Sequence, residues 1–410
     1  MWGDIRRVSA PLLCLFLSMM ANGFFTTIIS LRIKAQGYSP LVVGLISASY
    51  FAGLIFGAFR IEKFIAKVGY IRVYSTFAAL SVVLSLAQGY YINEPFLALL
   101  IRFGIGICIG VFFVILEGWV LAKSTAKNRG TMMSICMITL NLGYSLGQFF
   151  LSFVPNNELT SFVIIALIFS LSIIPLCAIR QPGPDLEEPS LLSFKALYRL
   201  TPTGMLGCFM VGMIFSSVYS IFPIMFQAVN YAPWDLALGM FVIVFGGMFG
   251  QFPFGKLSDV MERQKVLVYA TLLTMILTFV AFFQYRVLTS TLLAIWFLMG
   301  AALYPLYPIA LTHACDVVPK KDYTAAMQGL VLMFSIGSTL GPIFSASSMM
   351  VVGPVGVLWY QFIILGLLLG LFIWRRNVSK TIPTEKQKDF RQVGTASVFI
   401  DQRKQKTRKD

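Results

Sequence analysis

Two charged side chains, Arg102 and Glu117, interrupt the apolar stretch 96–120. A charge surrounded by apolar residues needs an opposite charge, a hydrogen-bond partner or water. Arg102 lies about seven residues, or ~10 Å, inside one end of that stretch. Its guanidinium could bind an anion, or it could be a structural group that donates hydrogen bonds to backbone carbonyls. Glu117 lies ~22 Å further along the same helix, so these two side chains cannot pair.

Glu117 is closer to the other end of the stretch. It is within reach of Arg129 across the next turn, or of the preceding polar loop. Two interpretations stay open. Glu117 could form a structural ion pair that locks one conformation, or its carboxylate could bind and release a proton.

A second group of candidates consists of amide and hydroxyl side chains within apolar stretches. Four of them are spaced i, i+3, i+4 and i+7, which places them on one face of a helix: Asn141, Tyr144, Ser145 and Gln148. Because such a face is costly against acyl chains, we expect it to line a polar path. For each residue taken alone, hydrogen bonding between helices is the alternative. Similar side chains occur at Asn22, Thr26, Tyr50, Ser216, Tyr219, Tyr304 and Tyr307.

The residue types give little support to metal or catalytic chemistry. The single histidine, His313, lies three residues before Asp316 and cannot build a metal site alone. We interpret it as a gate or packing residue, with pH sensing as a further role. The six cysteines are scattered and show no metal-ligand spacing. Since acids, bases and nucleophiles are not clustered, an integral membrane enzyme is disfavoured and no cofactor is expected.

The elements that must position these residues follow from the composition. The chain has 410 residues, of which 58% are apolar and 12% charged, and its mean hydropathy is +0.80. Too few charges remain to cover soluble domains or to bind nucleic acid, so the sequence predicts an all-α polytopic membrane protein. Apolar stretches long enough to cross a bilayer occupy residues 11–31, 41–59, 73–92, 96–120, 132–154, 162–179, 205–229, 236–257, 266–285, 292–314, 327–352 and 355–374.

Lysine and arginine are concentrated on one side of these twelve helices. Of the 32 basic residues, only Arg32, Lys34 and Arg286 fall in loops on the opposite side, and Arg102 falls within a helix. The positive-inside rule therefore predicts that both termini lie in the cytoplasm. The segment 377–410 is basic and lacks apolar periodicity, so we expect a disordered cytoplasmic tail near anionic headgroups.

A polar break at 180–203 divides the chain into two halves of six helices each, 1–179 and 204–376. Glycines recur at nearly constant separation in equivalent helices of the two halves. The pairs are Gly57 and Gly255, Gly106 and Gly300, Gly143 and Gly337, and Gly147 and Gly341. The sequence therefore predicts a duplicated six-helix bundle, a construction that is common in secondary transporters.

The loop after the eighth stretch has a glycine followed by an acid and then basic residues: Gly255, Asp259, Arg263 and Lys265. In this feature, and over essentially its whole length, the chain resembles the major facilitator superfamily. The matching loop in the first half keeps Gly69 and its cations but has Ala66 where the acid would stand. The segments 117–119 and 304–308 further resemble the YcaD-like branch of bacterial members.

The resemblance implies how the helices are used. Helices 1, 4, 7 and 10, with 2, 5, 8 and 11, would line a central cavity, while 3, 6, 9 and 12 would face lipid. It adds a third role for Arg102, in ion coupling. The candidates for coupling or gating are Arg102, Glu117 and Arg129, together with residues of the signature loop and of the end of helix 10: Gly255, Asp259, Arg263, His313 and Asp316.

We therefore expect a secondary active transporter that moves a small solute across the inner membrane by alternating access. No nucleotide-binding motif is present, so an ion gradient, with protons as the default, would drive it. Arg102 favours an anionic or zwitterionic solute, or antiport. A transport-inactive sensor or receptor on the same fold is the main alternative. We expect a monomer whose partners are the solute, the proton and membrane lipids, with no nucleic acid.

Overall fold

The computed structural model describes residues 2–124, 129–154, 158–178, 193–319 and 322–378. Within these ranges the regular structure is entirely helical. The helices are α1 Trp2–Ala35, α2 Pro40–Arg60, α3 Glu62–Val68, α4 Tyr70–Tyr90, α5 Pro95–Lys123, α6 Arg129–Gly147, α7 Phe150–Phe153, α8 Glu158–Cys177, α9 Phe194–Leu200, α10 Pro202–Ser220, α11 Phe222–Ala228, α12 Pro233–Val260, α13 Arg263–Gln284, α14 Ser290–Leu303, α15 Leu306–Val317, α16 Tyr323–Val352 and α17 Gly356–Val378. The predicted tail beyond residue 378 and residues 180–192 of the predicted central segment lie outside the described residues.

Among the described residues, twelve segments are long and apolar enough to cross a membrane, which confirms the predicted number of spans. Spans 5, 7 and 10 are each divided into two helices, α6–α7, α10–α11 and α14–α15. Pro223 and Pro305 lie at the last two breaks, where a missing backbone N–H interrupts the helical hydrogen bonds. The break in span 5 lies at Gln148 and Phe149, whose backbone N–H groups donate to residues three positions earlier.

Glycines set the packing inside each half. Among the first-half glycines that lie against a backbone carbonyl of a neighbouring helix, five have counterparts 193 or 194 residues later that lie against the equivalent carbonyl in the second half. A methyl group at any of them would overlap that oxygen. The pairs are Gly53 and Gly246, Gly57 and Gly250, Gly106 and Gly300, Gly143 and Gly337, and Gly147 and Gly341. The two six-helix bundles therefore share one packing scheme.

One predicted glycine pair is wrong. Gly57 lies against the carbonyl of Ile107, and the glycine in the equivalent position against Ala301 is Gly250, not Gly255. The separation of 198 residues came from aligning the ends of two helices. It did not align the points at which those helices touch their neighbours. The corrected separation of 193 agrees with that of the neighbouring pair Gly53 and Gly246.

The two halves meet along α2 and α16, and along α6–α7 and α12. We call the side of the bundle where α1 begins and α17 ends the terminal side, and the opposite side the far side. A far-side aromatic cluster joins the halves and consists of Phe149, Phe153, Trp234 and Phe241. The ring of Phe149 lies 5.4 Å from that of Trp234 and 4.9 Å from that of Phe241, centroid to centroid. The halves are therefore in contact at their far ends.

Candidate functional site

A cavity of about 200 Å³ lies between the two halves. Its lining comes from spans 1, 2, 4, 5, 7, 8, 10 and 11, the eight that the resemblance implied. Among the described residues, α4, α8, α13 and α17 contribute nothing to it. The lining residues are Met19, Asn22, Thr26, Tyr50, Phe51, Leu54, Phe113, Glu117, Met137, Leu140, Asn141, Tyr144, Phe215, Tyr219, Gln251, Tyr304, Tyr307, Pro308, Phe334, Ser335 and Ser338.

Most of the predicted path residues are brought together in this lining. They are Asn22, Thr26, Tyr50, Asn141, Tyr144, Tyr219, Tyr304 and Tyr307. Glu117, predicted from its charge, also lines the cavity and is fully buried. The side chain of Arg129, its predicted partner, lies outside the part of the chain that the structure describes.

Three predicted path residues do not line the cavity. Gln148 is buried between α1 and α6, where its Oε1 accepts from the Thr27 hydroxyl at 2.7 Å and its Nε2 donates to the Gly23 carbonyl at 3.2 Å. Ser145 and Ser216 each donate to a carbonyl one turn earlier in their own helix. These hydroxyls and this amide satisfy hydrogen bonds within and between helices, which was the alternative interpretation.

Arg102 also lies outside the lining, although it is close behind it. Its side chain leaves α5 towards α1, and only 1% of the residue is exposed. Its Nη2 donates to Oγ1 of Thr26 at 2.7 Å. The guanidinium carbon lies 4.3 Å from the ring centre of Tyr50 and 4.7 Å from that of Phe25, in cation–π geometry. Arg102 thus reaches the cavity through Thr26 and Tyr50, which both line it.

The first half supplies a polar wall. Next to Thr26 on α1, the Asn22 amide donates to the Tyr50 hydroxyl at 3.0 Å. Asn141 and Tyr144 complete this wall from α6. The Tyr144 hydroxyl is buried and makes no hydrogen bond of good geometry within the described residues.

The second half supplies an aromatic wall that the sequence did not predict in full. Phe215 and Phe334 join Tyr304 and Tyr307, and the rings of Tyr307 and Phe334 lie 4.3 Å apart. The Tyr304 hydroxyl donates to that of Tyr219 at 2.8 Å. Because the sequence has 37 phenylalanines, the presence of Phe215 and Phe334 did not indicate a binding site.

Other lining residues were also missed, among them Phe51, Phe113 and Gln251. Gln251 had a usable signal, because it is the single amide in the apolar helix α12. The two walls meet where the ring of Tyr144 packs edge-on against that of Tyr219, with centroids 4.6 Å apart. The amides and the carboxylate of the lining therefore come mainly from the first half, and five of the nine second-half lining residues are aromatic, although Gln251, Ser335 and Ser338 are polar.

The predicted gating residues form a separate cluster on the terminal side of the second half. Arg263 and Asp316 form a buried ion pair, and Asp259 lies 3.7 Å from the same guanidinium with its side chain 39% exposed. Nε2 of His313 lies 3.3 Å from the amide nitrogen of Gln264. The loop signature that begins at Gly255 is thus tied to the end of span 10. None of these residues lines the cavity.

Comparisons with known proteins agree with this architecture. The family profile of the Major Facilitator Superfamily matches residues 12–251 and 204–406. The uncharacterised MFS-type transporter YcaD of Shigella flexneri is 29% identical over 350 residues, which cover 84% of this chain and 89% of that protein. An uncharacterised MFS-type transporter of Enterobacter sp. strain 638 is 29% identical over 82% of this chain and 88% of its own. The expected likeness to YcaD is confirmed.

Solved structures show the same fold at low sequence identity. A bacterial homologue of the human lysosomal transporter Spinster, inward-facing and occupied, superposes with a TM-score of 0.73 at 16% identity, over 93% of this chain and 97% of that chain. The fucose:proton symporter FucP of E. coli gives a TM-score of 0.59 at 17% identity, over 92% and 100%. Helix number, duplicated packing, central cavity and family profile all agree, and the chain belongs to the major facilitator superfamily.

Proposed function

We propose that this protein is a secondary active transporter that moves a small solute across the inner membrane of a bacterium by alternating access. The observation that carries the proposal is the cavity between the halves, whose opposite walls come from different bundles. Each bundle contributes one wall of the cavity. A rocking movement of one bundle against the other therefore changes the side of the membrane to which the cavity opens.

The packing supports such a movement. Inside each half, helices touch backbone to backbone at the paired glycines, so each bundle is suited to move as one body. Between the halves, the far-side aromatic cluster and the contact of Tyr144 with Tyr219 consist of side chains. Gly44 provides a close contact across the seam, where an added methyl group would lie 2.7 Å from the Pro342 carbonyl. We assign it the role of a pivot.

Protons are the coupling ion that the cavity residues favour. Glu117 is a buried carboxylate on the cavity wall, in a position where a proton and a solute could influence each other's binding. We assign the carrier role to Glu117. The ion-pair cluster of Arg263 and Asp316 is assigned to gating on the terminal side, which we place in the cytoplasm together with both chain ends. We further propose that the protein acts as a monomer.

The test is solute flux with purified protein. A thermal-shift screen against metabolites first identifies ligands, since a compound that binds the folded state raises apparent stability. The hits are then assayed for uptake into proteoliposomes with and without an imposed pH gradient. Uptake above that of protein-free liposomes, increased by the gradient, supports the proposal. Binding without flux would instead identify a sensor. Reporter fusions at each terminus test the orientation.

A further inference from the structure

We infer that the cavity is built for an amphipathic organic monoanion, with an oxyanion head such as a carboxylate and an apolar or aromatic body. The head would lie against Thr26, Tyr50 and Tyr144, in front of the Arg102 guanidinium. This inference rests on the proposed function and names the class of its solute.

The first step is the unbalanced charge of Arg102. Within the part of the chain that the structure describes, no carboxylate pairs with it, and its one hydrogen bond goes to the neutral Thr26 hydroxyl. Its Nε and Nη1 are buried without a hydrogen-bond partner. A guanidinium inside a membrane needs compensation, so the first-half wall of the cavity has a positive charge behind it that an anion would balance.

The second step concerns the direction of the hydroxyl protons. Thr26 accepts a hydrogen bond from Arg102, and Tyr50 accepts one from the Asn22 amide, so each hydroxyl keeps its own proton to donate. The Tyr144 hydroxyl lies next to that of Thr26 and makes no hydrogen bond of good geometry within the described structure. All three line the cavity. Three O–H donors beside one guanidinium match the acceptor-only oxygens of a carboxylate.

The third step is the asymmetry between the halves. The residue 194 positions after Arg102 is Trp296, which packs edge-on against Phe222 and Phe226. The second half therefore has an aromatic side chain where the first half has a cation. Its wall presents the rings of Phe215, Tyr307 and Phe334, which suit an apolar or aromatic body.

The fourth step is the orientation of the solute. Glu117 lines the same cavity but lies ~22 Å along α5 from Arg102, towards the terminal side. A carboxylate head is attracted by the Arg102 guanidinium, so this charge sets the orientation. The head points to the far side, and the body lies between the two walls.

The test uses three probes of matched shape on the purified full-length protein. They are 4-phenylbutyrate, 4-phenylbutylamine and 4-phenylbutan-1-ol, which carry an anionic, a cationic and a neutral head on the same body. Their affinities are measured by isothermal titration and thermal shift in the same detergent. We expect the carboxylate to bind at least about ten-fold more tightly than either other probe, the effect of one charge-assisted contact. A preference for the amine or the alcohol, or no selectivity for the carboxylate, would overturn the inference.

Variants locate the head. Arg102→Gln and Thr26→Val are expected to weaken phenylbutyrate binding about ten-fold or more, and to weaken binding of the alcohol less, because a neutral head gains less from each contact. Lys256→Gln removes one exposed positive charge that does not line the cavity and is the matched control, with unchanged affinity expected. Equal phenylbutyrate affinity in Thr26→Val and wild-type protein would place the head elsewhere. The wild-type ranking needs no variant, so poor folding of Arg102→Gln does not remove the test.

Flux separates this inference from the function on which it rests. Selective binding of the carboxylate without uptake into proteoliposomes would overturn the transporter and leave the anion site. Uptake of neutral or cationic solutes, with the carboxylate ignored, would retain the transporter and overturn the anion site.

Discussion

Arg263 at the start of α13 and Asp316 near the end of α15 form an ion pair in which the two side chains are 0% and 1% exposed. Asp259, on the preceding turn, reaches the same guanidinium at 3.7 Å but is 39% exposed. The two acids therefore differ in burial while sharing one partner. This pair ties the loop between α12 and α13 to the broken span 10.

Asp316→Asn is expected to lower the free energy of unfolding by about 3–5 kcal/mol, because it leaves the buried Arg263 without its main counter-charge. Asp259→Asn should cost at most about 1 kcal/mol, since solvent screens its half-exposed carboxylate. Chemical denaturation in detergent measures both. Glu262→Gln, which removes a partly exposed partner of Lys265, serves as the control, with an expected loss of at most about 1 kcal/mol. Equal losses for Asp316→Asn and Asp259→Asn would contradict the assignment.

Gly53→Ala should destabilise the first half by about 1–3 kcal/mol, because its methyl group would overlap the Phe103 carbonyl and push α2 away from α5. Gly370→Ala is the matched control, since nothing lies within 4 Å of a methyl group there. Alanine is the better helix former, so this control should be neutral or stabilising by up to about 1 kcal/mol. Thermal unfolding of the two variants checks the difference. A Gly53→Ala protein as stable as the control would refute the tight packing.

Separation of the two halves at the far-side aromatic cluster should be required for solute uptake. In a variant without its six native cysteines, Phe153→Cys and Trp234→Cys are joined by a short, reducible thiol cross-linker. Holding the halves together on the far side should stop uptake into proteoliposomes, and reduction should restore it. A cross-link between Phe245→Cys and Phe249→Cys, one turn apart in α12, is the control and should leave uptake intact. Full uptake by the cross-linked Phe153–Trp234 pair would exclude opening at this side.

Glu117→Gln should flatten the pH dependence of uptake, because the substituted amide cannot bind and release a proton. Accumulation driven by a pH gradient should be lost, while exchange of solute across the membrane at equal pH continues. Gln251→Leu changes a neutral lining residue and should keep the wild-type pH profile. If the Glu117→Gln protein also keeps the wild-type pH profile, Glu117 has only a structural role.

The spacing of residues predicted the fold well, because membrane spans require long apolar stretches and close helix packing requires glycines at the points of contact. Twelve apolar stretches and the separation of 194 residues between Gly143 and Gly337 were sufficient to identify two related bundles. Spacing failed for Gly57, whose true counterpart Gly250 is recognisable only from the carbonyl that it touches. Helix ends were less informative than helix contacts.

The candidate site was predictable only in part, for a geometric reason. Asn141 and Gln148 share one helical face, and periodicity gives angular position alone. They lie ~10 Å apart along the axis, and at the height of Gln148 the helix α1 covers that face. The aromatic wall around Phe215 and Phe334 resembled ordinary membrane residues in the sequence. It became visible only through the cavity that it lines.

The division of the cavity into a polar wall and an aromatic wall has a mechanical consequence. We expect a bound molecule to contact Thr26 with its head and Phe334 with its ring. Such a molecule touches both bundles at once and so links them. Its full binding energy is available only while both contacts are made, so occupancy favours the closed arrangement.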